Sequence, residues 1–262
     1  MSIAADRKAL VTGGAAGFGL DVARALRAAG ARVAILDVDA ARLERAAAEL
    51  GGETVAVRAD VRSPAEVGVA VAEVAERLGG LDTLVNSAGV IHVKPLADVT
   101  ERDWDLTLDV NLKGTFLVCQ AAAPLLRSSG RGRIVSISSD AGRRGAAQLL
   151  AYTASKFGVV GLTESLAAEL AADQVTVNCV CPVGCPTTEM GKDLLDWKMS
   201  ASGRTSDEVK ASAARTNLVG RNLTEHDVTA AIMHFVSDGA SFLTGVSLDV
   251  DGGARLGSIP GV

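Results

Sequence analysis

Short apolar segments alternate with longer amphipathic segments along the chain, and this alternation restricts the possible folds more than any other feature. The short segments have the length and apolar content of buried strands: Ala9–Thr12, Arg32–Leu36, Thr54–Arg58, Thr83–Asn86, Arg133–Ser138, Val175–Val180 and Ser247–Val250. The longer segments have apolar residues at helical spacing: about Phe18–Ala29, Ala40–Leu50, Pro64–Leu78, Glu101–Arg127, Tyr152–Ala171 and Thr224–Ser237. Strands that are apolar on both sides and joined by helices form parallel sheets covered on both faces. The alternation therefore predicts an α/β, doubly wound fold.

One long segment departs from this rhythm. From Val183 to Asn222 the sequence contains no clear strand, only two helix-like runs at Lys192–Met199 and Ser206–Arg215. Connections of this length inside a compact domain usually form a lid or a binding loop. No linker marks a second domain, so we expect a single domain over residues 1–262 with a substrate-loop insertion at about 183–222.

Composition narrows the classes of partner. Hydrophobic residues make up 48% of the chain, aromatic residues only 3%, and the formal net charge is -5. A negative charge and few aromatic rings disfavour binding to nucleic acid or to anionic membranes. No apolar run is long enough to span a bilayer, and Met1–Lys8 has no signal-peptide core. We expect a cytoplasmic protein that binds a small molecule, with no nucleic-acid or membrane partner.

The four cysteines do not predict a disulfide framework or a metal site. Cys179, Cys181 and Cys185 form a C-x-C-x3-C cluster, which is compatible with metal binding. However, Cys179 and Cys181 lie inside a strand-like run, where small buried thiols are ordinary core residues. No histidine lies nearby to complete a site, so we expect no metal.

A glycine-rich turn follows the first predicted strand and opens the first predicted helix. It reads Thr12-Gly13-Gly14-Ala15-Ala16-Gly17-Phe18-Gly19. Glycines at Gly13, Gly17 and Gly19 would let backbone N–H groups and the helix N-terminus approach a pyrophosphate closely. The turn predicts a dinucleotide site, although glycine-rich turns of this kind also occur without a ligand.

Asp37, at the end of the second predicted strand, strengthens that interpretation. A carboxylate there accepts hydrogen bonds from the adenosine ribose and repels a 2′-phosphate, which favours NAD over NADP. Ala15, Ala16 and Val38 supply no cation for a phosphate. The alternative is that Asp37 and Asp39 cap the next helix; Asp39 fits that role better and leaves Asp37 free.

Tyr152 and Lys156 lie four residues apart on a strongly helical segment, so their side chains share one face. A cation about 4 Å from a phenol favours the phenolate by ~4 kcal/mol at an effective dielectric near 20, or ~3 pKa units before desolvation. Ser139 ends the fifth predicted strand, at the edge where open α/β sheets bind ligands. Without this context, a surface pair would be the simpler interpretation of Tyr152 and Lys156.

The combined motifs resemble the short-chain dehydrogenase/reductase family over nearly the whole chain. They are Thr12-Gly13-x-x-x-Gly17-x-Gly19, Asn86-Ser87-Ala88-Gly89, Asn111, Ser139 and Tyr152-x-x-x-Lys156. The resemblance implies a Rossmann-type fold with a seven-stranded, mostly parallel sheet and a nicotinamide-dependent oxidoreductase activity. The segment from Thr244 to Gly253 is similar to the family's closing strand, which implies a homotetramer.

The same resemblance implies roles for individual residues. Tyr152 would be the general acid/base, Lys156 would tune it and bind the nicotinamide ribose, Ser139 would position the substrate oxygen, and Asn111 would support a water relay. The cofactor contacts implied by the motifs are Gly13, Gly17, Phe18, Gly19, Asp37, Asp60, Val61, Asn86, Ala88, Gly89, Tyr152, Lys156, Pro182 and Thr187.

The chain departs from the family pattern after the sixth strand. A Pro-Gly pair is usual there, whereas this chain has Pro182-Val183-Gly184. Val183 would reshape the backbone near the nicotinamide and the substrate pocket. Thr187 or Thr188 would still reach the cofactor amide, and we favour Thr187.

The expected reaction is hydride transfer between NAD and a secondary alcohol or its ketone. His92, Gln148 and Met190, together with Ser139, are expected to border the substrate. Cationic side chains at Arg143, Arg144, Lys192 and Lys198 would favour an anionic group on that substrate, or would simply be solvated surface. A 3-oxoacyl reductase using NADPH and a non-catalytic NAD-binding regulator are the alternatives.

Overall fold

The computed structural model describes residues 4–256, and the two ends of the predicted domain, residues 1–3 and 257–262, lie outside it. A seven-stranded parallel sheet has the strand order β3-β2-β1-β4-β5-β6-β7. The strands are β1 (Lys8–Thr12), β2 (Arg32–Asp37), β3 (Val55–Arg58), β4 (Thr83–Asn86), β5 (Arg133–Ile137), β6 (Thr176–Pro182) and β7 (Ser247–Val250). The predicted doubly wound α/β fold is confirmed, and the predicted strands agree with these bounds to within a few residues.

Helices follow the strands and cover both faces of the sheet. They are α1 (Gly17–Ala28), α2 (Ala40–Leu50), α3 (Pro64–Leu78), α4 (Glu101–Leu108), α5 (Gly114–Ser128), α6 (Leu150–Leu170), α7 (Glu189–Ser202), α8 (Ser206–Ala214) and α9 (Glu225–Val236). Within residues 4–256, none of the helices combines the length and apolar character needed to cross a bilayer.

Two hydrophobic layers sandwich the sheet because successive strand residues point to opposite faces. Leu10 packs into the layer under α3, α5 and α6, whereas Ala9 and Val11 pack into the layer under α1, α2 and α9. These strands are buried on both faces, which explains their continuous apolar runs.

The predicted long helix Glu101–Arg127 is interrupted. The chain forms α4, then a single π-helical segment at Asp109–Lys113, and then α5. The wider turn contains Asn111, whose side chain is completely buried. Isolated π-helical turns of this kind occur frequently at functional sites.

The segment after β6 folds back over the carboxyl edge of the sheet as α7 and α8. Thr188 begins α7 by accepting a hydrogen bond from the Gly191 amide at 3.0 Å, and a reciprocal capping box of Thr205 and Glu208 begins α8. β6 continues through Pro182, and the Val183 amide still donates to Val250 at 3.3 Å. Val183 therefore extends the pairing of β6 with β7, and the chain turns only after it.

Candidate active site

The glycine turn between β1 and α1 brings two backbone segments unusually close together. A Cβ atom on Gly13 would lie 2.8 Å from the Ala88 backbone, and one on Gly19 would lie 2.2 Å from the Gly13 carbonyl oxygen. Gly13 and Gly17 also have left-handed backbones, with φ of 60° and 50°. Only glycine meets these demands at the start of α1 without strain.

Asp37 lies where β2 ends, beside this turn. Its carboxylate accepts hydrogen bonds from the Ala15 amide at 3.4 Å and the Asp39 amide at 3.2 Å. Asp39, not Asp37, caps α2, accepting from the Arg42 amide at 3.0 Å. Asp37 therefore faces a cleft of about 390 Å³ along the carboxyl edge of the sheet.

Most of the predicted cofactor contacts line this cleft, which we call the dinucleotide cleft. They are Gly13, Gly17, Phe18, Asp37, Asp60, Val61, Ala88 and Gly89. Asn86 lies elsewhere: its amide is buried in the sheet and donates to Ser136 Oγ at 3.2 Å and Cys119 Sγ at 3.3 Å. Gly19 forms the closed inner side of the turn instead of the cleft wall.

Two arginines at the dinucleotide cleft were not anticipated from the sequence. Arg42 Nη2 donates to Glu189 at 3.0 Å, and Arg62 Nε donates to Asp60 at 2.9 Å. Both guanidinium groups are therefore already paired with carboxylates. Arg42 is far from Glu189 in sequence, and no local motif marks their contact.

A second cavity of about 320 Å³ adjoins the dinucleotide cleft, and we call it the catalytic cavity. Phe18, Gly89, Thr188 and Met190 line both. The catalytic cavity also contains the following predicted residues: Ser139, Tyr152, Lys156 and Pro182. The structure thus brings the three proposed reacting side chains to one wall, next to the cleft.

Tyr152 and Lys156 face the catalytic cavity from the first turns of α6. Lys156 Nζ lies 5.6 Å from the centre of the Tyr152 ring and donates to the Ile137 carbonyl oxygen at 2.7 Å. Ser139, two residues after the end of β5, donates to the Asp140 carboxylate at 3.0 Å and accepts from the Ala141 amide at 3.1 Å. These contacts fix the positions of Ser139 Oγ and Lys156 Nζ.

The protonation states differ from the sequence-based expectation. Burial raises the pKa of Tyr152 to about 12, and the hydrogen bond with Ser139 opposes only part of the rise. Burial lowers the pKa of Lys156 to about 8. The expected lowering of the phenol pKa is therefore wrong for the protein alone, because burial penalises the charged phenolate.

Asn111 ties the loop after β4 to α6. Its Oδ1 accepts from the Val90 amide at 2.8 Å, while Nδ2 donates to the Val90 carbonyl at 3.0 Å and to Ser155 Oγ at 3.0 Å. A Cβ atom on Gly89 would lie 3.4 Å from Asn111 Oδ1 and 3.8 Å from Lys156 Nζ. Asn111 is thus close to Lys156, with its amide group engaged by protein partners.

Two expected substrate contacts do not line the cavities. His92 Nδ1 pairs with Thr107 Oγ1 at 3.0 Å, and its neighbour Ile91 lines the catalytic cavity instead. Gln148 has a left-handed backbone, with φ of 65°, and its neighbours Ala147 and Leu149 line the wall. The expectations for His92 and Gln148 are therefore corrected, because neighbouring residues of the same loops line the wall in their place.

The choice between the two threonines is also corrected. Thr187 Oγ1 donates to Glu225 at 2.7 Å and does not line the dinucleotide cleft. Thr188 is buried and lines both the cleft and the catalytic cavity. Capping of α7 points Thr188 inwards and leaves Thr187 on the outer side.

The cysteines are buried thiols of the core. Over residues 4–256, no cluster of three or more His, Cys, Asp or Glu side chains has an arrangement suited to a metal ion.

Comparisons with known proteins agree with this geometry. Residues 7–199 match the family model described as short chain dehydrogenase. The chain is 40% identical to D-threitol dehydrogenase of Mycolicibacterium smegmatis over 251 residues, which cover 95% of this chain and 92% of that protein. It is 37% identical to 2-(S)-hydroxypropyl-CoM dehydrogenase 3 of Xanthobacter autotrophicus, covering 93% of this chain and 94% of that one. A crystal structure of an actinorhodin polyketide ketoreductase variant with NADPH superposes with a TM-score of 0.90 at 33% identity, covering 95% of this chain and 97% of that chain.

Proposed function

Because this chain belongs to the short chain dehydrogenase family, a family of oxidoreductases that act on CH–OH groups, we propose that it interconverts a secondary alcohol and its ketone with NAD. One observation carries the proposal: Ser139, Tyr152 and Lys156 line one cavity that opens into the cleft beside Asp37. The small-molecule substrate enters that cavity, and the glycine turn receives the cofactor phosphates.

The residues of the dinucleotide cleft fit a dinucleotide. Gly13 and Gly17 have no side chain, so a pyrophosphate can approach the backbone of the turn at the start of α1. The N–H groups and the helix dipole at that end of α1 favour such an anion. Asp60 and Val61 also line the cleft, and in this proposal they flank the adenine. When bound, the nicotinamide supplies the hydride acceptor or donor.

In this proposal, the catalytic side chains bind the substrate oxygen and transfer the proton of the substrate hydroxyl group. Ser139 holds the substrate oxygen beside the phenol, and Tyr152 takes the hydroxyl proton in oxidation or returns it in reduction. A phenol with a pKa of about 12 holds its proton in the free protein, whereas Lys156, with a pKa of about 8, exchanges a proton near neutral pH. We assign Lys156 the task of passing the proton onwards, with Asn111 supporting a water relay beside it.

The proposal of NAD rests on Asp37. Its carboxylate faces the cleft, and a 2′-phosphate there would meet like charge. Arg42 and Arg62 are the nearby cations at the cleft, and both are paired with acidic side chains. The NADPH in the similar ketoreductase favours the competing hypothesis, an NADPH-dependent 3-oxoacyl reductase. Measuring turnover with both cofactors separates the two.

The decisive experiment uses a panel of secondary alcohols, polyols and ketones with NAD and NADP, following the absorbance of the reduced nicotinamide. Tyr152→Phe is expected to lower kcat by roughly 10²–10⁴-fold, the usual contribution of a positioned acid/base. Calorimetry should show that this variant still binds NAD. Full turnover by Tyr152→Phe, or tight NAD binding with no turnover across the panel, would contradict the proposal; the second result would favour a non-catalytic regulator.

We also propose a homotetramer, supported by exposed apolar side chains in two regions. One region comprises Trp104, Phe116, Leu150 and Phe157 on α4, α5 and α6; the other comprises Phe242, Leu243 and Leu248 at the β7 edge of the sheet. Exposed apolar clusters of this kind mark contact surfaces. Two separate self-contacts on one chain build a tetramer of dihedral symmetry.

A further inference from the structure

A cavity of about 580 Å³ lies directly outside the catalytic cavity. We call it the outer cavity. The two share the following wall residues: Asp140, Val183, Gly184, Trp197 and Lys198. A substrate bound at Tyr152 therefore has room to extend past Trp197 into the outer cavity.

The two cavities differ in chemistry. The catalytic cavity is bordered mainly by apolar side chains, among them Ile91, Leu149 and Leu194. The outer cavity is bordered by hydroxyl and amide side chains from α8 and the segment after it: Ser212, Thr216, Asn217 and Asn222. The part of a ligand nearest the reacting carbon thus meets an apolar wall, and its far end meets hydrogen-bonding groups.

The acidic side chains that line the outer cavity have hydrogen-bond partners, whereas two of its basic side chains form no ion pair within the described part of the chain. Its two carboxylates have partners: Asp140 accepts from Ser139 and Arg144, and Asp251 accepts from the amides of Gly253 and Arg255 at 2.8 and 2.9 Å. Lys198 and Arg204 also line the outer cavity, and neither forms an ion pair within the described part of the chain.

Glu208 lies four residues after Arg204 and does not neutralise it. Arg204 contributes to lowering the pKa of Glu208, but that carboxylate binds the amide and hydroxyl of Thr205 at 2.8 and 3.0 Å in the capping box of α8. Two cations from the end of α7 and the following turn therefore face the outer cavity with their hydrogen-bond donors available.

On these grounds we propose that the outer cavity binds an anionic group at the far end of the substrate, through Lys198 and Arg204. This rests on the proposed function. The substrate is a secondary alcohol in which a short apolar segment separates the carbinol carbon from a carboxylate, phosphate or sulfonate. All three anions offer oxygen acceptors to a guanidinium and an ammonium, so the proposal is for an anionic group with oxygen acceptors.

A matched substrate series tests the proposal. Secondary alcohols of equal chain length, ending in methyl, hydroxymethyl, carboxylate, phosphate or sulfonate, are compared with NAD. An anionic end is expected to lower KM by about tenfold or more, the equivalent of one charge-assisted hydrogen bond, with a smaller advantage at high salt. The three anionic arms show which anion the outer cavity prefers.

Single variants then assign the effect to the two cations. Lys198→Gln and Arg204→Gln are each expected to raise KM for the anionic alcohol about tenfold more than they raise KM for the neutral alcohol of equal length. Lys192→Gln on α7 and Lys210→Gln on α8 are matched controls, since neither lysine lines the outer cavity. Equal effects from the controls would overturn the assignment.

A binding measurement supplies a readout that does not need turnover. Trp104 and Trp197 are the two tryptophans of the chain, so in a Trp104→Phe background the emission reports on Trp197 at the junction of the cavities. The anionic alcohol should change this emission at a lower concentration than its neutral counterpart, and Lys198→Gln should abolish the difference. Turnover of neutral alcohols without any preference for anions would overturn this inference alone; absence of all turnover would overturn the proposed function.

Discussion

At the residue scale, the ionisation of Tyr152 and Lys156 depends on burial more than on their mutual attraction. Lys156 Nζ lies 5.6 Å from the centre of the Tyr152 ring, and a unit charge pair at about 5 to 6 Å would gain about 3 kcal/mol at an effective dielectric near 20. Removing an ion from water costs several kcal/mol, so desolvation prevails for both groups. This balance explains why the pKa of Tyr152 rises while that of Lys156 falls.

The lowered pKa of Lys156 predicts a specific pH dependence of stability. The unfolded chain binds this proton up to pH 10.5, and the folded protein only up to about pH 8. The charged lysine therefore destabilises the fold below pH 8, by about 3 kcal/mol, and the penalty disappears as the pH rises from 8 to 10.5. Lys156→Met lacks this titration.

Urea unfolding of the wild type and Lys156→Met at several pH values measures the effect. The wild type should gain stability relative to the variant between pH 8 and pH 10.5, as the folded protein binds fewer protons than the unfolded chain. Other titrations are common to both proteins and cancel in the difference. A constant difference across this range would mean that Lys156 has an ordinary pKa.

Asp37 and Asp39 form a natural pair for testing cofactor selection. Asp37→Ser removes the carboxylate that faces the cleft, so the preference for NAD over NADP, expressed as the ratio of kcat/KM, should fall at least tenfold. Asp39→Ser is the control, because Asp39 caps α2 through the Arg42 amide. It should leave the cofactor ratio unchanged; an equal change in both variants would contradict the role of Asp37.

At the element scale, the strands and most helices could be predicted because burial on both faces of a parallel sheet imposes continuous apolar runs. The glycine turn, Ser139 and the Tyr152–Lys156 helix could be located for a similar reason, as each follows directly from an element end or a helical spacing. The side-chain directions of Gln148 and Thr187 could not, since they depend on loop φ values and capping bonds. The Arg42–Glu189 pair joins α2 to α7 and has no signal in either helix alone.

Asn111, in the π-helical turn between α4 and α5, is expected to contribute to the free energy of unfolding. Asn111→Leu would leave the Val90 amide and carbonyl without their present partners inside the protein. Each unsatisfied buried group costs about 1–3 kcal/mol, so a loss of about 2–6 kcal/mol in unfolding free energy is expected for the two groups. Urea unfolding measures this loss directly.

Thr115→Val is the matched control for that variant. Thr115 Oγ1 donates to the Asn111 carbonyl at 2.8 Å, so the change removes one hydrogen bond from the same turn without touching the Val90 loop. A loss of about 1 kcal/mol is expected. If the two variants proved equally stable, the Asn111 side chain would not be holding the loop after β4.

At the scale of the whole molecule, the two exposed apolar regions belong to different elements. Phe157 belongs to α6, whereas Phe242 precedes the edge strand β7 and is 99% exposed. The dinucleotide cleft and catalytic cavity contain neither residue. Assembly and cofactor binding are thus separable by mutation.

The proposed tetramer predicts that each region can be disabled alone. Phe157→Glu and Phe242→Glu place a charge in different contacts, and burying an unpaired charge costs more than such a contact gains. Each variant should therefore have the mass of a dimer by light scattering and still bind NAD, and the double variant should be a monomer. Val69→Glu, at an exposed position on α3 outside both regions, controls for added charge. A wild-type monomer, or tetramers in all variants, would show that these side chains form no interface, since a dihedral assembly needs both contacts.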